Sequence, residues 1–316
     1  MIRTSRFTFQ LALAALLLGP AAARAQIDSA QAKPPAVKWG GYLQLRETAR
    51  PDVGLTATLN RARAGLDVQL PAGWSSRITA EFGGSAGVQL RDGYVRWTKD
   101  AWSAQAGQFK TPMAREYLIS LADVETPDRA AVVDTLSPKR DIGLQLAWSP
   151  DKWIEAFAGV VNGEGQNVTA NRDSTVLVMG RVVVRPLAGV TLGLSGAAFG
   201  GDSARVGGEL ELAWRGAWLR AEAIAQEIDG RERRDEGWYA LAGYRVFPSW
   251  SVVARQEDLL RPALNAARSR YRATTLGLMW EPPGGRIKGL LDYVERSAGQ
   301  DPAKSHAWIA QIQGRF

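Results

Sequence analysis

The chain has 316 residues, no cysteine and a single histidine, His306. Without cysteine there is no disulfide staple, so another form of closure must hold the fold together. Without cysteine and with one histidine, the usual nitrogen and sulfur metal sites are excluded, and no metal or cofactor is expected. Enzyme chemistry is also disfavoured, because an oxygen nucleophile commonly needs an imidazole base; His306 stands at the edge of the last periodic segment and reads as a solvated loop residue. After the first 25 residues no stretch approaches 18 apolar residues, which excludes a transmembrane helix. No long helix-period segment is found either. Lys and Arg number 39 against 32 Asp and Glu. The bases form no cluster interleaved with aromatics, so nucleic acid is not an expected partner.

The N-terminus has export features. Arg3 and Arg6 precede an apolar run from Leu11 to Leu18, and Ala23-Arg24-Ala25 forms an A-x-A cleavage pattern. Residues 1–25 are therefore expected to be a signal peptide and 26–36 a short N-terminal segment. Removing Arg3, Arg6 and Arg24 takes the formal charge from +7 to about +4.

The C-terminus alternates to its last residue. Trp308, Ala310, Ile312, Gly314 and Phe316 fall on one face of the final run, and Ile309, Gln311, Gln313 and Arg315 on the other. A strand ending in Phe resembles the closing strand of outer-membrane β-barrels, in which the terminal residue addresses the barrel-assembly machinery. Sixteen segments with strand periodicity follow one another: 38–48, 59–70, 75–84, 89–99, 102–109, 139–148, 153–162, 175–185, 190–199, 206–214, 217–227, 237–246, 250–257, 270–280, 286–295 and 306–316. Short turns alternate with longer, polar connections near 49–58, 85–88, 110–138, 163–174, 200–205, 228–236, 258–269 and 296–305. Segregation of loop length by end is a barrel property: short turns face the periplasm and long loops the exterior. The expected fold is all-β, a transmembrane antiparallel barrel of about 16 strands over residues 37–316 in the outer membrane.

Ten of the twelve Trp sit at strand ends on the short-turn side: Trp39, Trp74, Trp97, Trp102, Trp148, Trp153, Trp214, Trp218, Trp250 and Trp280. Indole rings favour the membrane–water boundary, so this set is expected to form the periplasmic aromatic girdle. Charge assigns the faces of the wall. An Arg against lipid at the midplane costs roughly 2–4 kcal/mol, so the charged face must look into the lumen. That places Arg46, Arg61, Arg63, Arg77, Arg96, Arg181, Arg185, Arg220, Arg245, Arg255, Lys288 and Arg315 inside, with Asp67, Glu81, Asp92, Asp141, Glu209, Glu211, Glu222, Glu257 and Asp292. Such a polar lumen is expected to be wet, and sixteen strands leave an aqueous channel. In 153–162, Glu155 decides the parity and turns Ile154, Ala156, Ala158 and Val160 towards lipid.

The 29-residue connection 110–138 is the longest, and a long loop of this kind is usually functional. It is flanked by Gly107-Gln108-Phe109-Lys110-Thr111-Pro112 and Ser137-Pro138-Lys139-Arg140-Asp141-Ile142-Gly143. These runs resemble the G-x-F-K-x-P and S-P-x-R-D-x-G signatures of the phosphate-selective porin O and P family. The resemblance implies a trimeric porin whose third external loop folds into the barrel and narrows it. Lys110, Lys139 and Arg140 match the motif's basic positions; Arg115 and Arg129 are further bases of the candidate constriction. The expected partners are outer-membrane lipid and lipopolysaccharide, the assembly machinery acting on Phe316, and small anionic or neutral solutes. The alternative is a surface receptor or adhesin without an open pore, for which the basic stretch Arg261, Arg268, Arg270 and Arg272 would be the binding feature.

Overall fold

The structure, a computed structural model, describes residues 35–84, 87–172, 174–200, 203–228, 234–262, 268–298 and 305–316. The expected signal peptide, residues 1–25, and nearly all of 26–36 lie outside the described residues. Sixteen strands follow in order: β1 (Ala36–Arg50), β2 (Gly54–Gln69), β3 (Trp74–Glu81), β4 (Gln89–Lys99), β5 (Trp102–Lys110), β6 (Arg140–Trp148), β7 (Ile154–Val161) and β8 (Leu177–Leu187). Then come β9 (Val190–Phe199), β10 (Ser203–Trp214), β11 (Ala217–Ile228), β12 (Asp235–Phe247), β13 (Trp250–Pro262), β14 (Arg268–Trp280), β15 (Ile287–Ala298) and β16 (Ser305–Arg315). Each pairs with its sequence neighbours, and β1 pairs with β16, so the sheet closes. Closure leaves no unpaired edge, which a chain without disulfides needs in order to cross a bilayer.

The closing seam explains the terminal residue. Tyr42 lies opposite Arg315 and Ala49 opposite Trp308. Beyond β16, the backbone of Phe316 exchanges two 3.2 Å hydrogen bonds with Gly41. A Cβ on residue 41 would stand 2.6 Å from the Phe316 ring and 2.2 Å from the Arg63 carbonyl, so the terminal ring seats against glycine.

Alternation fixes the two faces of the wall. In β16, Ala307, Ile309, Gln311 and Gln313 are buried, while Trp308, Ile312 and Phe316 are more than half exposed on the outside. In β7 the parity set by Glu155 holds: Val160 is exposed outside, and Phe157 lies inside with the Arg181 guanidinium 5.7 Å above its ring. The short turns are tight. In the turn between β10 and β11, Arg215 and Gly216 have φ of 47° and 83°. Two successive left-handed residues give the mirror-image turn whose twist matches the strands.

Two expectations are corrected. The strands run further at the long-loop end than hydropathy predicts. The expected loop 49–58 is a turn at residues 51–53, and β13 and β14 stay paired out to Pro262 opposite Arg268. Beyond the lipid both faces of a hairpin are wet, so the apolar alternation fades while the backbone ladder continues. The basic stretch Arg261, Arg268, Arg270 and Arg272 therefore lies in strands: Arg270 and Arg272 both hold Asp258, at 2.6 and 3.0 Å, and Arg261 holds Asp235.

The second correction concerns Trp218. It shares the parity of Arg220, Glu222 and Ile224, faces the lumen and packs on an apolar cluster there. Closeness to a turn suggested the girdle, but strand parity decides the face. Trp39, Trp74, Trp97, Trp102, Trp148, Trp214, Trp250 and Trp280 occupy outward positions, with Trp102 and Trp148 6.2 Å apart and Trp250 and Trp280 6.3 Å apart. Trp153 lies in the turn before β7, half-exposed, with the Lys152 ammonium 4.8 Å over its ring. At the opposite end Trp308, Tyr293 and Trp238 face outwards, the first two with ring centres 5.2 Å apart.

Candidate functional site in the barrel lumen

The two motifs that flank the longest connection are partners in the sheet. Gly107 stands opposite Gly143, Phe109 opposite Asp141 and Lys110 opposite Arg140. Gly107 has φ of 127°, and a Cβ there would lie 2.3 Å from the Gly93 carbonyl, so the base of the hairpin requires glycine. Thr111 then closes the base: its N–H and hydroxyl both donate to the Lys139 carbonyl, at 2.9 and 2.7 Å. From this base residues 111–139 run through two short helices, α1 (Arg115–Leu118) and α2 (Ala131–Leu136).

One side of the lumen is apolar. Met113, Ala114, Tyr117, Val132, Val133 and Leu136 pack with lumen-facing Val161, Leu177, Met179, Ala197, Ile224, Tyr239, Leu241 and Leu259 from β7 to β13. This corrects the expectation of a uniformly wet wall. The inward positions of these strands are apolar where the segment covers them, and each fully buried side chain contributes roughly 1.5–3 kcal/mol.

Polar contacts fix the segment along its length. Arg255 donates to the Thr126 hydroxyl at 2.6 Å and the Asp128 carbonyl at 2.8 Å. Glu257 accepts the Ala131 N–H at the start of α2, at 2.6 Å. Glu222 accepts from the Glu116 N–H and the Tyr239 hydroxyl, both at 2.7 Å. Glu116 accepts the Ala130 N–H at 2.8 Å, and burial raises its carboxyl above the usual glutamate value. Arg220 pairs with Glu125, and Arg115 with Glu211 at 2.6 Å. Further along, Arg46 holds Asp128 and the Pro127 carbonyl at 2.9 and 2.7 Å. Lys288 and Gln313 donate to the Ala122 carbonyl at 2.9 and 3.2 Å, and Arg315 pairs with Asp123 at 2.6 Å. These last partners lie at the short-turn ends of β15 and β16, so the segment reaches down the barrel.

The other side is basic and hollow. A cavity of about 540 Å³ lies between the segment and the wall of β1 to β8, lined by Arg63, Arg77, Arg96, Lys110, Arg140 and Arg181. Asp67 and Asp92 are the carboxylates of that lining, so six bases meet two acids. Arg77 pairs with Asp67 at 2.6 Å, Arg140 with Asp92 at 3.0 Å and Arg63 with Glu81 at 2.9 Å. Arg96 instead rests on the Gln105 amide and lies 5.1 Å over the Tyr94 ring. Lys110 donates to the Leu118 and Ile119 carbonyls, both at 2.8 Å. A low-dielectric passage with such a lining focuses a positive field.

The bases singled out in the sequence thus divide. Lys110 and Arg140 line the cavity together and share the Tyr117 ring, at 5.9 and 6.0 Å. Arg115 lies across the lumen on Glu211. Arg129 is buried within the segment, donating to the Glu116 and Ile119 carbonyls at 2.8 and 3.0 Å. Lys139 has an exposed side chain at a left-handed position, φ 65°, and serves through its carbonyl. On the wall, Arg46, Arg220 and Arg255 hold the segment. Arg61 lies 3.9 Å from Glu81, Arg181 pairs with Glu209 at 2.5 Å and Arg185 with Glu155 at 2.8 Å; Arg245 is exposed beside a short turn. Gln311 and Gln313, which alternation marks only as sharing the face of Arg315, join a polar network with Gln44: Gln44 donates to Gln313 at 2.7 Å, and Asn60 donates to Gln44 and Gln311, both at 3.2 Å. His306 is exposed, 6.2 Å from the Tyr293 ring. Among the described residues no group of three or more His, Cys, Asp or Glu is placed to hold a metal.

The family model of phosphate-selective porin O and P matches residues 46–198, a range containing both motifs. No curated protein matches the sequence. Solved structures share the fold. OmpT, an outer membrane protein of Vibrio cholerae solved in trimer form, has a TM-score of 0.70 at 12% identity, over 90% of this chain and 100% of that one. An anion-selective porin from Comamonas acidovorans gives 0.67 at 13%, over 90% and 100%. The outer membrane channel DcaP of Acinetobacter baumannii gives 0.65 at 14%, over 89% and 97%.

Proposed function

This chain is an outer-membrane barrel related over residues 46–198 to phosphate-selective porin O and P, and on that footing we propose that it forms a water-filled channel for small hydrophilic solutes with a mild preference for anions. The observation that carries the reading is the hollow beside the segment, lined by six bases and two acids. The segment 111–139 acts as the constriction: it fills the β7 to β13 side and leaves solutes the basic side. Lys110 and Arg140 stand at the narrowing, with Arg96 and Arg77 below them. Most of these bases have carboxylate or carbonyl partners, so the field is moderate and the preference is mild. The function is transport rather than catalysis.

The assembly follows the neighbours. The OmpT structure is a trimer form, and the same state is proposed here. Residues 1–25 direct export, the Trp-rich short turns face the periplasm, and Phe316 acts as the signal for barrel assembly. Outer-membrane lipid and lipopolysaccharide surround the wall.

Planar-bilayer recording tests the reading. Discrete conductance steps are expected, with a reversal potential in a KCl gradient on the anion side. A cation-selective channel would contradict the selectivity. A barrel that inserts without conducting would favour the pore-less receptor, which the apolar packing between the segment and the wall would then explain.

A further inference from the structure

The basic cavity is also aromatic. Tyr94 and Phe157 line it and are only partly buried, and Leu118 is part of the same surface. Each ring lies under a guanidinium of the lining: Arg96 at 5.1 Å over Tyr94 and Arg181 at 5.7 Å over Phe157. Tyr94 precedes Arg96 by two residues, on the same lumen-facing parity of β4. Phe157 of β7 stands opposite Arg181 of β8 in the register. One strand and one strand pair therefore present the same combination, a cation with an apolar ring beside it.

An inorganic anion uses only half of that combination. Phosphate is strongly hydrated, and neither it nor chloride has an apolar body to place on a partly exposed ring face. An anion with an apolar body can place its charge on a guanidinium and its body on the ring. Aromatic pairs in offset or edge-on contact contribute roughly 0.5–1.5 kcal/mol beyond the area they bury, about two- to thirteenfold in affinity. The lining also keeps its charges paired or hydrogen-bonded. Arg140 on Asp92 and Arg77 on Asp67 leave a modest net charge, which suits a singly charged organic ion better than a multivalent one.

We propose that the passage takes monovalent organic anions with an aromatic or other apolar body, such as aromatic carboxylates, in preference to inorganic phosphate. Arg96 and Arg181 meet the charge, and Tyr94 and Phe157 meet the body. This inference rests on the reading of the cavity as the conducting path, and it specifies the solute class for that same site.

Benzoate, acetate and inorganic phosphate serve as probes in two parallel measurements on the full-length barrel. In planar bilayers, each is added to a KCl solution and the block of chloride current is titrated. Benzoate is expected to block at a concentration about tenfold lower than acetate, with phosphate weaker than both. Isothermal titration of the detergent-purified barrel should give the same order. Phe157→Ser and Tyr94→Ser should each bring the benzoate-to-acetate ratio close to one. Tyr94 also packs on the apolar cluster that holds the segment, so Phe157→Ser, checked by heat-modifiable migration, decides the point. Phosphate blocking at lower concentration than benzoate would overturn the proposal, as would ratios unmoved by Phe157→Ser. A barrel that binds benzoate by calorimetry but does not conduct would sink the channel reading and leave the site standing.

Discussion

The two sides of the lumen are built to opposite rules. From β7 to β13 the inward positions include Leu177, Met179, Ile224 and Leu241, all nearly inaccessible beneath residues 111–139. From β2 to β6 the inward positions include Arg63, Arg77, Arg96 and Arg140, which line a cavity. The first side behaves as the core of a globular domain and holds a structure in place. The second behaves as a surface and meets solvent. A barrel interior need not have one character: where a loop docks, the wall beneath it packs apolar side chains on the loop and spends its charges on holding it, and where the loop does not reach, bases border a cavity.

The largest change is expected from removing the divider. Deleting residues 115–133 should raise single-channel conductance several-fold while the barrel still assembles, because the sixteen strands close their own ladder without it. Unchanged conductance would show that the segment does not limit the path. Next in size is the buried anchor Arg255, which joins the segment to β13 through Thr126, Asp128 and Glu257. Arg255→Ala leaves Glu257 and Glu116 without their cation, and breaking such a buried pair costs about 3–5 kcal/mol. Lower thermal stability and noisier open-channel current are the expected readouts.

A smaller effect should come from the basic side. Lys110→Glu places a negative charge at the narrowing, within a Debye length of about 8 Å from passing ions, and should shift the reversal potential towards cations. Arg115→Glu, on the apolar side against Glu211, should move selectivity less and stability more. The smallest effect is a pH dependence. Burial raises the carboxyl pKa of Glu116 in the folded protein, so its protonated form is favoured there and ionisation opposes docking. Docking should be strongest at low pH and weaken as pH climbs from the ordinary glutamate value through the raised one. Glu116→Gln should flatten that slope in heat-unfolding midpoints measured across pH; an equal slope in both proteins would place its origin elsewhere.

Much of the wall was legible from periodicity, because lipid on one face and solvent on the other write a two-residue repeat into each strand. The repeat gave sixteen strands and the closing seam at Phe316. It failed where one solvent disappears. Above the bilayer, over Gly54 to Thr58 and Asp258 to Pro262, both faces are wet and periodicity predicts loop where the structure has strand. Beneath the segment both faces are dry, so Met179 and Leu241 gave no warning of a covered wall. Lys110, Lys139 and Arg140 were legible only through the family motif that they match, which does not distinguish the exposed Lys139 from Lys110 and Arg140, opposite each other in β5 and β6. Arg115 and Arg129 were not separable from them by sequence, since a base within a loop reads the same whether it faces solvent, a carboxylate or a carbonyl.

The division of the lumen can be measured directly, because the native chain has no cysteine to interfere. Single substitutions Gln105→Cys, beside Arg96 on the hollow side, and Met179→Cys, under the segment, are reconstituted and exposed to a small anionic thiol reagent during bilayer recording. Prompt, stepwise current reduction is expected for Gln105→Cys, and none for Met179→Cys until the segment is deleted. Reaction of Met179→Cys at the rate of Gln105→Cys in the intact protein would contradict it, by showing that solutes reach the β7 to β13 side as well.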